Sequence, residues 1–126
     1  MSQKYILLFG LLVSSVSYAQ VASSTIEQAK TGVSEIKALN QEVSMLAMEA
    51  QQSNDSMLIQ SVSSKQASVS ALKDISEGAL QSVLSTTTEE RAQYELRKIT
   101  VALPRVREFT NDAQKCLSSA SNGGGD

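Results

Sequence analysis

One run of residues, 24–50, constrains the fold more than any other feature of the chain. Within it, side chains that can be buried recur at alternating intervals of three and four: Ile26, Ala29, Val33, Ile36, Asn40, Val43, Ala47 and Ala50. This spacing is the a/d repeat of a helix that buries one stripe against other helices. Asn40 is the single polar member, at an a position where asparagine can fix register at some loss of stability. The pattern predicts helix packing and no particular chemistry.

The same run indicates how this helix begins and how many partners it needs. Ser24-Thr25-Ile26-Glu27 has the form of a capping box, so we predict a helix over about residues 25–51. Leu39 and Leu46 fall at g positions and widen the apolar face, which favours a bundle of three or more helices over a dimeric coiled coil. Acidic residues repeat at the c position, where we expect a solvated face: Glu35, Glu42 and Glu49.

Two further helices follow at similar length. Residues 56–84 form a weaker pattern that Lys65 and Ser76 interrupt, and this segment carries few charges. Residues 88–117 form the most regular one, preceded by a second capping box at residues 87–90. Pro104 lies off the stripe, whose spacing continues in phase across it, so we predict one helix kinked at residue 104; the alternative is a break at Leu103.

The connections and the ends of the chain are polar. Residues 51–56 are rich in turn formers, with Ser53, Asn54 or Asp55 as the cap of the next helix, and Asn54-Asp55-Ser56 fits the acceptor pattern for N-glycosylation. Residues 85–88 form the second connection. Residues 118–126, with three consecutive glycines, predict a flexible tail.

The first nineteen residues resemble a signal peptide. Lys4 precedes a short apolar core, and Ser17-Tyr18-Ala19 places small residues where a signal peptidase reads them. Nine apolar residues are too few for a transmembrane helix, which needs roughly 20. We therefore predict cleavage after Ala19 and a secreted product, periplasmic if the source is bacterial.

Composition excludes several function classes from consideration. The chain has no histidine, which removes His-based catalysis and nearly all zinc sites, and it has no glycine-rich phosphate loop. Residues 20–126 carry 10 basic and 13 acidic side chains, so no nucleic-acid partner is indicated. We predict a protein that is not an enzyme and needs no cofactor or metal.

The lone cysteine, Cys116, cannot close an internal disulfide. In an oxidising compartment an odd thiol tends to pair between chains, which favours an intermolecular disulfide. The alternative is a free thiol half-covered by the last helical turn.

Together these patterns predict an all-α protein: an elongated three-helix up-down-up bundle with coiled-coil-like stripes. With only Tyr94 and Phe109 as aromatic residues after residue 19, its core is aliphatic and thin, which favours oligomerisation or a partner. We expect protein–protein interaction, by self-assembly or docking of partner helices, through a stripe that comprises Ile26, Val33, Ile36, Asn40, Val43, Leu96, Ile99, Leu103 and Val106. The alternative is an amphipathic protein that binds lipid or a small apolar ligand, in which the weakly charged second helix contacts a membrane surface.

Overall fold

The three apolar stripes become three long helices in the computed structural model of the chain, which describes residues 20–124 and the side chains of residues 20–120. Helix α1 is Ser23–Gln52, α2 is Ser56–Ser85 and α3 is Glu89–Gly124, and each packs against the other two. No strand occurs between residues 20 and 124. The all-α three-helix bundle is therefore confirmed. The predicted signal peptide, residues 1–19, lies outside the described residues.

The core is built from the positions that the three-four spacing selects. Its largest fully buried apolar side chains are Ile and Val, and Phe109 is only partly buried against them. The buried apolar residues are Ala29, Val33, Ile36, Val43, Ala47, Ala50, Leu58, Val62, Val69, Ala79, Val83, Ala92, Leu96, Ile99, Ala102, Val106 and Ala113. Small and β-branched side chains bring the helices close together, and no aromatic ring between residues 20 and 120 is fully buried.

Two helix starts follow local sequence signals. The Asp55 carboxylate accepts hydrogen bonds from the backbone N–H groups of Met57 and Leu58, at 3.1 and 3.2 Å, and so caps α2. The Thr88 hydroxyl accepts from the N–H of Arg91 at 3.3 Å at the start of α3. All three bonds satisfy backbone donors that have no partner within the first turn of a helix.

The start of α1 corrects the predicted capping box. The helix begins at Ser23, its N-cap is Ala22, and no side chain of its own segment caps it. Instead the Glu89 carboxylate of α3 accepts from the Ala22 N–H at 2.8 Å and from the Thr25 hydroxyl at 2.6 Å. The first turn of α1 is thus held by a residue 67 positions later in the chain.

Helix α3 is continuous through Pro104, so the prediction of one helix across this residue is confirmed, while the kink stays a prediction.

The end of α3 differs from the predicted one. The helix continues to Gly124, and the predicted flexible tail, residues 118–126, is helical over its first seven residues. Leu117 and Ala120 pack against the core, and this burial of apolar surface stabilises the last part of the helix.

Gly32 marks a close approach of α1 and α3. It is buried, and a Cβ atom at this position would lie 2.7 Å from Cγ2 of Ile99. The sequence predicts only a locally weak point in the helix here, since glycine lowers helix propensity. The structure shows that the absence of a side chain lets the two helices meet.

Candidate interaction site

The predicted interaction stripe lies mostly inside the bundle. Its buried members are Val33, Ile36, Val43, Leu96, Ile99 and Val106, while Ile26 and Leu103 are partly buried against the same core. In the closed bundle these side chains contact the chain's own helices. Most of the predicted stripe is therefore not on the surface of the folded protein.

Asn40 also belongs to the interior formed by one chain. Its Oδ1 atom is buried and accepts no hydrogen bond from the described residues, and the same holds for the hydroxyl oxygen of Ser76 on α2. A buried polar atom without a partner is destabilising. We therefore expect Asn40 to influence the alignment of α1 within its own bundle, while a role in the register of an oligomer stays a prediction.

An apolar groove lies on the outer surface between α2 and α3. It has a volume of about 360 Å³, and its apolar lining consists of Leu72, Ile75, Tyr94, Val101 and Ala102. Ile75, Tyr94 and Val101 are 54%, 51% and 60% exposed. Three large side chains more than half exposed along one groove form an apolar surface that the bundle itself leaves uncovered.

The local sequence explains why these side chains point outward. On α3, Tyr94, Lys98, Val101 and Arg105 follow one another at intervals of four, three and four, which places them on one face beside the buried stripe. On α2, Ile75 immediately precedes the fully buried Ser76. The groove is thus lined by the residues that flank the α2–α3 contact on its solvent side.

Cations surround the apolar lining. Arg97, Lys98 and Arg105 all line the groove. Lys98 contacts the Glu95 carboxylate at 3.1 Å, whereas Arg97 and Arg105 form no salt bridge with any side chain in residues 20–120. The Arg105 guanidinium lies over the ring of Phe109, 5.8 Å from its centroid. Two guanidinium groups beside the groove therefore have no acidic partner there.

Tyr94 is held by a compact charged cluster. The Glu95 side chain is only 2% exposed, and its two oxygens each lie 3.1 Å from a cation, one from Arg91 and one from Lys98. Both cations also lie over the Tyr94 ring, 5.2 and 5.3 Å from its centroid. Two opposite charges compensate the buried carboxylate, and the cation–π contacts fix an aromatic ring at the groove.

A second groove, between α1 and α3, has nearly the same volume, about 350 Å³, and opposite charge. Glu27 and Glu35 line it together with Ile99 and Leu103. Arg107 closes this side of the bundle through two bonds to Glu35, at 2.6 and 2.8 Å.

The contacts between α1 and α3 correct the interpretation of the acidic c positions. Glu35 and Glu42 do not form a purely solvated face, because Glu35 pairs with Arg107 and Glu42 accepts a hydrogen bond from Gln114. Of the three, only Glu49 is in the exposed class, as predicted. The contacts to α3 were not predictable from the spacing within α1.

The two candidate modification sites have different surroundings. Cys116 is half-buried, with its sulfur 3.2 Å from the Ser61 hydroxyl oxygen. Asn54 is exposed in the α1–α2 connection at a left-handed φ of 60°, which asparagine tolerates better than most residues. The intermolecular disulfide and the glycosylation stay predictions.

Within the described part of the chain, no group of three or more acidic or cysteine side chains could hold a metal ion. None of the described helices is both long and apolar enough to cross a membrane. The sequence prediction missed the basic α2–α3 groove, although its signal is present as the second stripe of α3, from Tyr94 to Arg105.

No protein-family model, curated protein or solved structure matches the chain.

Proposed function

We propose that this is an exported, non-enzymatic protein that acts by protein–protein interaction and binds an amphipathic helix of a partner protein in the α2–α3 groove. The observation that carries the proposal is the exposure of Ile75, Tyr94 and Val101 along one groove. The stripes that first indicated interaction pack against one another inside the bundle. The α2–α3 groove is an apolar surface that this packing leaves open to a partner.

The shape of the groove favours a helix over a small apolar ligand. From Tyr94 to Arg105 its α3 wall rises roughly 16 Å, about three turns of a helix. Sites for small ligands usually enclose most of the ligand surface, whereas here the lining itself is half exposed. A helix presents apolar residues at three- and four-residue intervals, which match staggered side chains along two helix walls. Bound there, it would become the fourth helix of the bundle.

The chemistry of the lining also favours a protein partner. Tyrosine and arginine are the residue types enriched at the energetic centres of protein interfaces. Tyr94 lies in the groove with its ring orientation supported by Arg91 and Lys98. An aromatic ring that is already held in place loses little conformational entropy when a partner binds.

An uncharged amphipathic peptide of about 20 residues, long enough to be helical when bound, tests the proposal. Leucines would occupy one face, and glutamine and serine the other. Titrated into the isotope-labelled protein, the peptide should shift the NMR signals of groove residues on α2 and α3. The double variant Ile75→Ser/Val101→Ser should lose these shifts.

Met45→Ser/Met48→Ser provides the matched control, because these methionines are 68% and 65% exposed on α1, outside the groove. It should bind as well as the wild type. Absence of peptide binding at millimolar concentration, or equal loss of binding in both double variants, would contradict the proposal.

A second candidate function is binding to a lipid surface. It is favoured by the position of Leu72 and Ile75 on the weakly charged α2, so that an apolar edge and nearby cations face the same side. Co-sedimentation with vesicles separates the two functions. Binding to vesicles that Ile75→Ser/Val101→Ser abolishes, together with no binding of the peptide, would favour the lipid surface.

A further inference from the structure

The positive charge at the α2–α3 groove is local and not a consequence of overall composition. The chain has a formal net charge of −2, yet all four of its arginines lie within residues 91–107. Three of the cations in this segment line the groove. The groove on the other side of α3, of similar volume, is lined by Glu27 and Glu35. One helix thus separates a basic apolar groove from an acidic one.

The cations differ in how far they are already neutralised. Arg107 is paired with Glu35 across the α1–α3 contact, and Arg91 and Lys98 share Glu95. Arg97 and Arg105 have no acidic partner among the side chains of residues 20–120. Guanidinium groups donate bidentate hydrogen bonds to carboxylates, so these two can bind a carboxylate from outside the chain.

The spacing of the free pair defines the geometry of what can meet it. Arg97 and Arg105 are eight residues apart on one helix, which corresponds to roughly 12 Å along its axis. The exposed Val101 lies midway between them in the sequence. An apolar anchor flanked by two cations at this distance matches a helix whose own apolar anchor is flanked by acidic residues two turns apart.

We infer that the helix bound in the α2–α3 groove is acidic, with apolar residues facing Ile75, Tyr94 and Val101 and carboxylates about two turns apart facing Arg97 and Arg105. This rests on the proposed function and adds the chemistry of the partner. The apolar contacts supply most of the affinity. The two arginines select an acidic partner over a basic one, because exposed ion pairs are individually weak but like charges in apposition oppose binding.

Three peptides of identical apolar face test the inference. Each peptide carries the same residue, glutamate, glutamine or lysine, at two positions. One position precedes the central leucine, the other follows it, and the two are seven residues apart. At low salt, the dissociation constant measured by fluorescence anisotropy should be roughly tenfold lower for the glutamate peptide than for the glutamine peptide. The lysine peptide should have a higher dissociation constant than the glutamine peptide. High salt should reduce this preference, since mobile ions screen exposed charges.

Two double variants show whether the named cations cause the preference. Arg97→Gln/Arg105→Gln should lose the preference for the glutamate peptide over the glutamine peptide. Lys30→Gln/Lys115→Gln removes the same charge from two other exposed positions and should keep that preference.

The failures of the two proposals are distinguishable. If the three peptides bind equally well to the groove, helix docking stands and the acidic partner is wrong. If none binds, the proposed function fails with it. Self-association of the protein at the groove would identify the occupant as a second copy of the chain and would overturn the inference. Binding of anionic vesicles without binding of the glutamate peptide would identify a membrane surface instead and would also overturn it.

Discussion

The two flanks of α3 carry similar residues, but these residues make different contacts on each flank. On the flank facing α1, Arg107 pairs with Glu35, Gln114 bonds to Glu42, and Ile99 packs against the open backbone at Gly32. On the flank facing α2, Ile75 and Val101 are more than half exposed. An arginine is neutralised by the chain itself on the first flank and left without an acidic partner on the second, within the side chains described.

This difference separates stability from binding. Where polar bridges and close packing complete a contact within the chain, substitutions should change the free energy of unfolding. Where apolar and charged groups stay exposed, substitutions should change binding and leave folding nearly intact. The four predictions that follow test this division, beginning with the largest expected effect.

Ile99 and Val101 provide the sharpest contrast, because they lie two residues apart on α3. Ile99→Ala should lower the free energy of unfolding by about 2–5 kcal/mol, since a fully buried aliphatic side chain is removed and a cavity remains. Val101→Ala should change it by no more than about 0.5 kcal/mol. Urea denaturation followed by circular dichroism measures both. Equal destabilisation by the two substitutions would contradict the division.

Two glycines inside helices, Gly32 in α1 and Gly78 in α2, give the next contrast. Gly32→Ala should destabilise the protein by about 1 kcal/mol or more, because the new Cβ would lie 2.7 Å from a β-branched, buried Ile99. At Gly78 no atom of the described residues lies within 4 Å of the position of a Cβ, so Gly78→Ala should stabilise the protein by about 0.5–1 kcal/mol through helix propensity. If thermal melts show that both variants are more stable than the wild type, the close approach of α1 and α3 at Gly32 would be contradicted.

Asn40 tests whether the interior is complete within one chain. Asn40→Leu should raise the free energy of unfolding by about 1 kcal/mol, because the buried Oδ1 atom has no hydrogen-bond donor among the described residues. The mass in solution should stay that of the wild type. A changed or broadened distribution of oligomers, measured by light scattering, would instead place Asn40 at a contact between copies.

Glu89 should give the smallest effect, and one that depends on pH. Hydrogen bonds from Thr25, then from Gln93 and from the Ala22 backbone, hold the pKa of Glu89 below its usual value of 4.5. Because the folded state favours the carboxylate, its stabilisation is present above about pH 4.5 and is lost as the pH falls through the lowered pKa. Glu89→Gln should therefore be less stable than the wild type at neutral pH, and the difference should shrink in acid.

Denaturant melts at a series of pH values between neutral and about pH 3 measure this dependence. Glu90→Gln is the control, since Glu90 is exposed and makes none of these bonds within the described residues. A difference between Glu89→Gln and the wild type that stays constant through the acid range would show that the charge of Glu89 does not hold α1.

How far the sequence predicts this molecule depends on the range of each contact. The three helices and most core residues follow from the three-four spacing, which is a local property of each segment. The Asp55 cap is equally local, because its carboxylate bonds to N–H groups two and three residues away. Contacts of this kind can be read from a short stretch of the chain.

Features that depend on the alignment of helices could not be predicted in this way. Ser24 has the pattern of a cap, but the start of α1 is held instead by Glu89, and Glu35 finds its partner in Arg107, 72 residues later. The groove was missed for a related reason. Tyr94 and Val101 lie off the most regular stripe of α3, and only the position of α2 shows that they border a common surface with Ile75.

The mass in solution of residues 20–126, measured by light scattering with circular dichroism across a range of concentrations and with and without reductant, tests the central claim most directly. If the three stripes satisfy one another within a single chain, the protein should be a monomer with the same helicity at every concentration. A dimer or larger species whose helicity falls on dilution would contradict this claim, because the stripes would then need other copies. If reductant removes that species, the contact between copies includes Cys116.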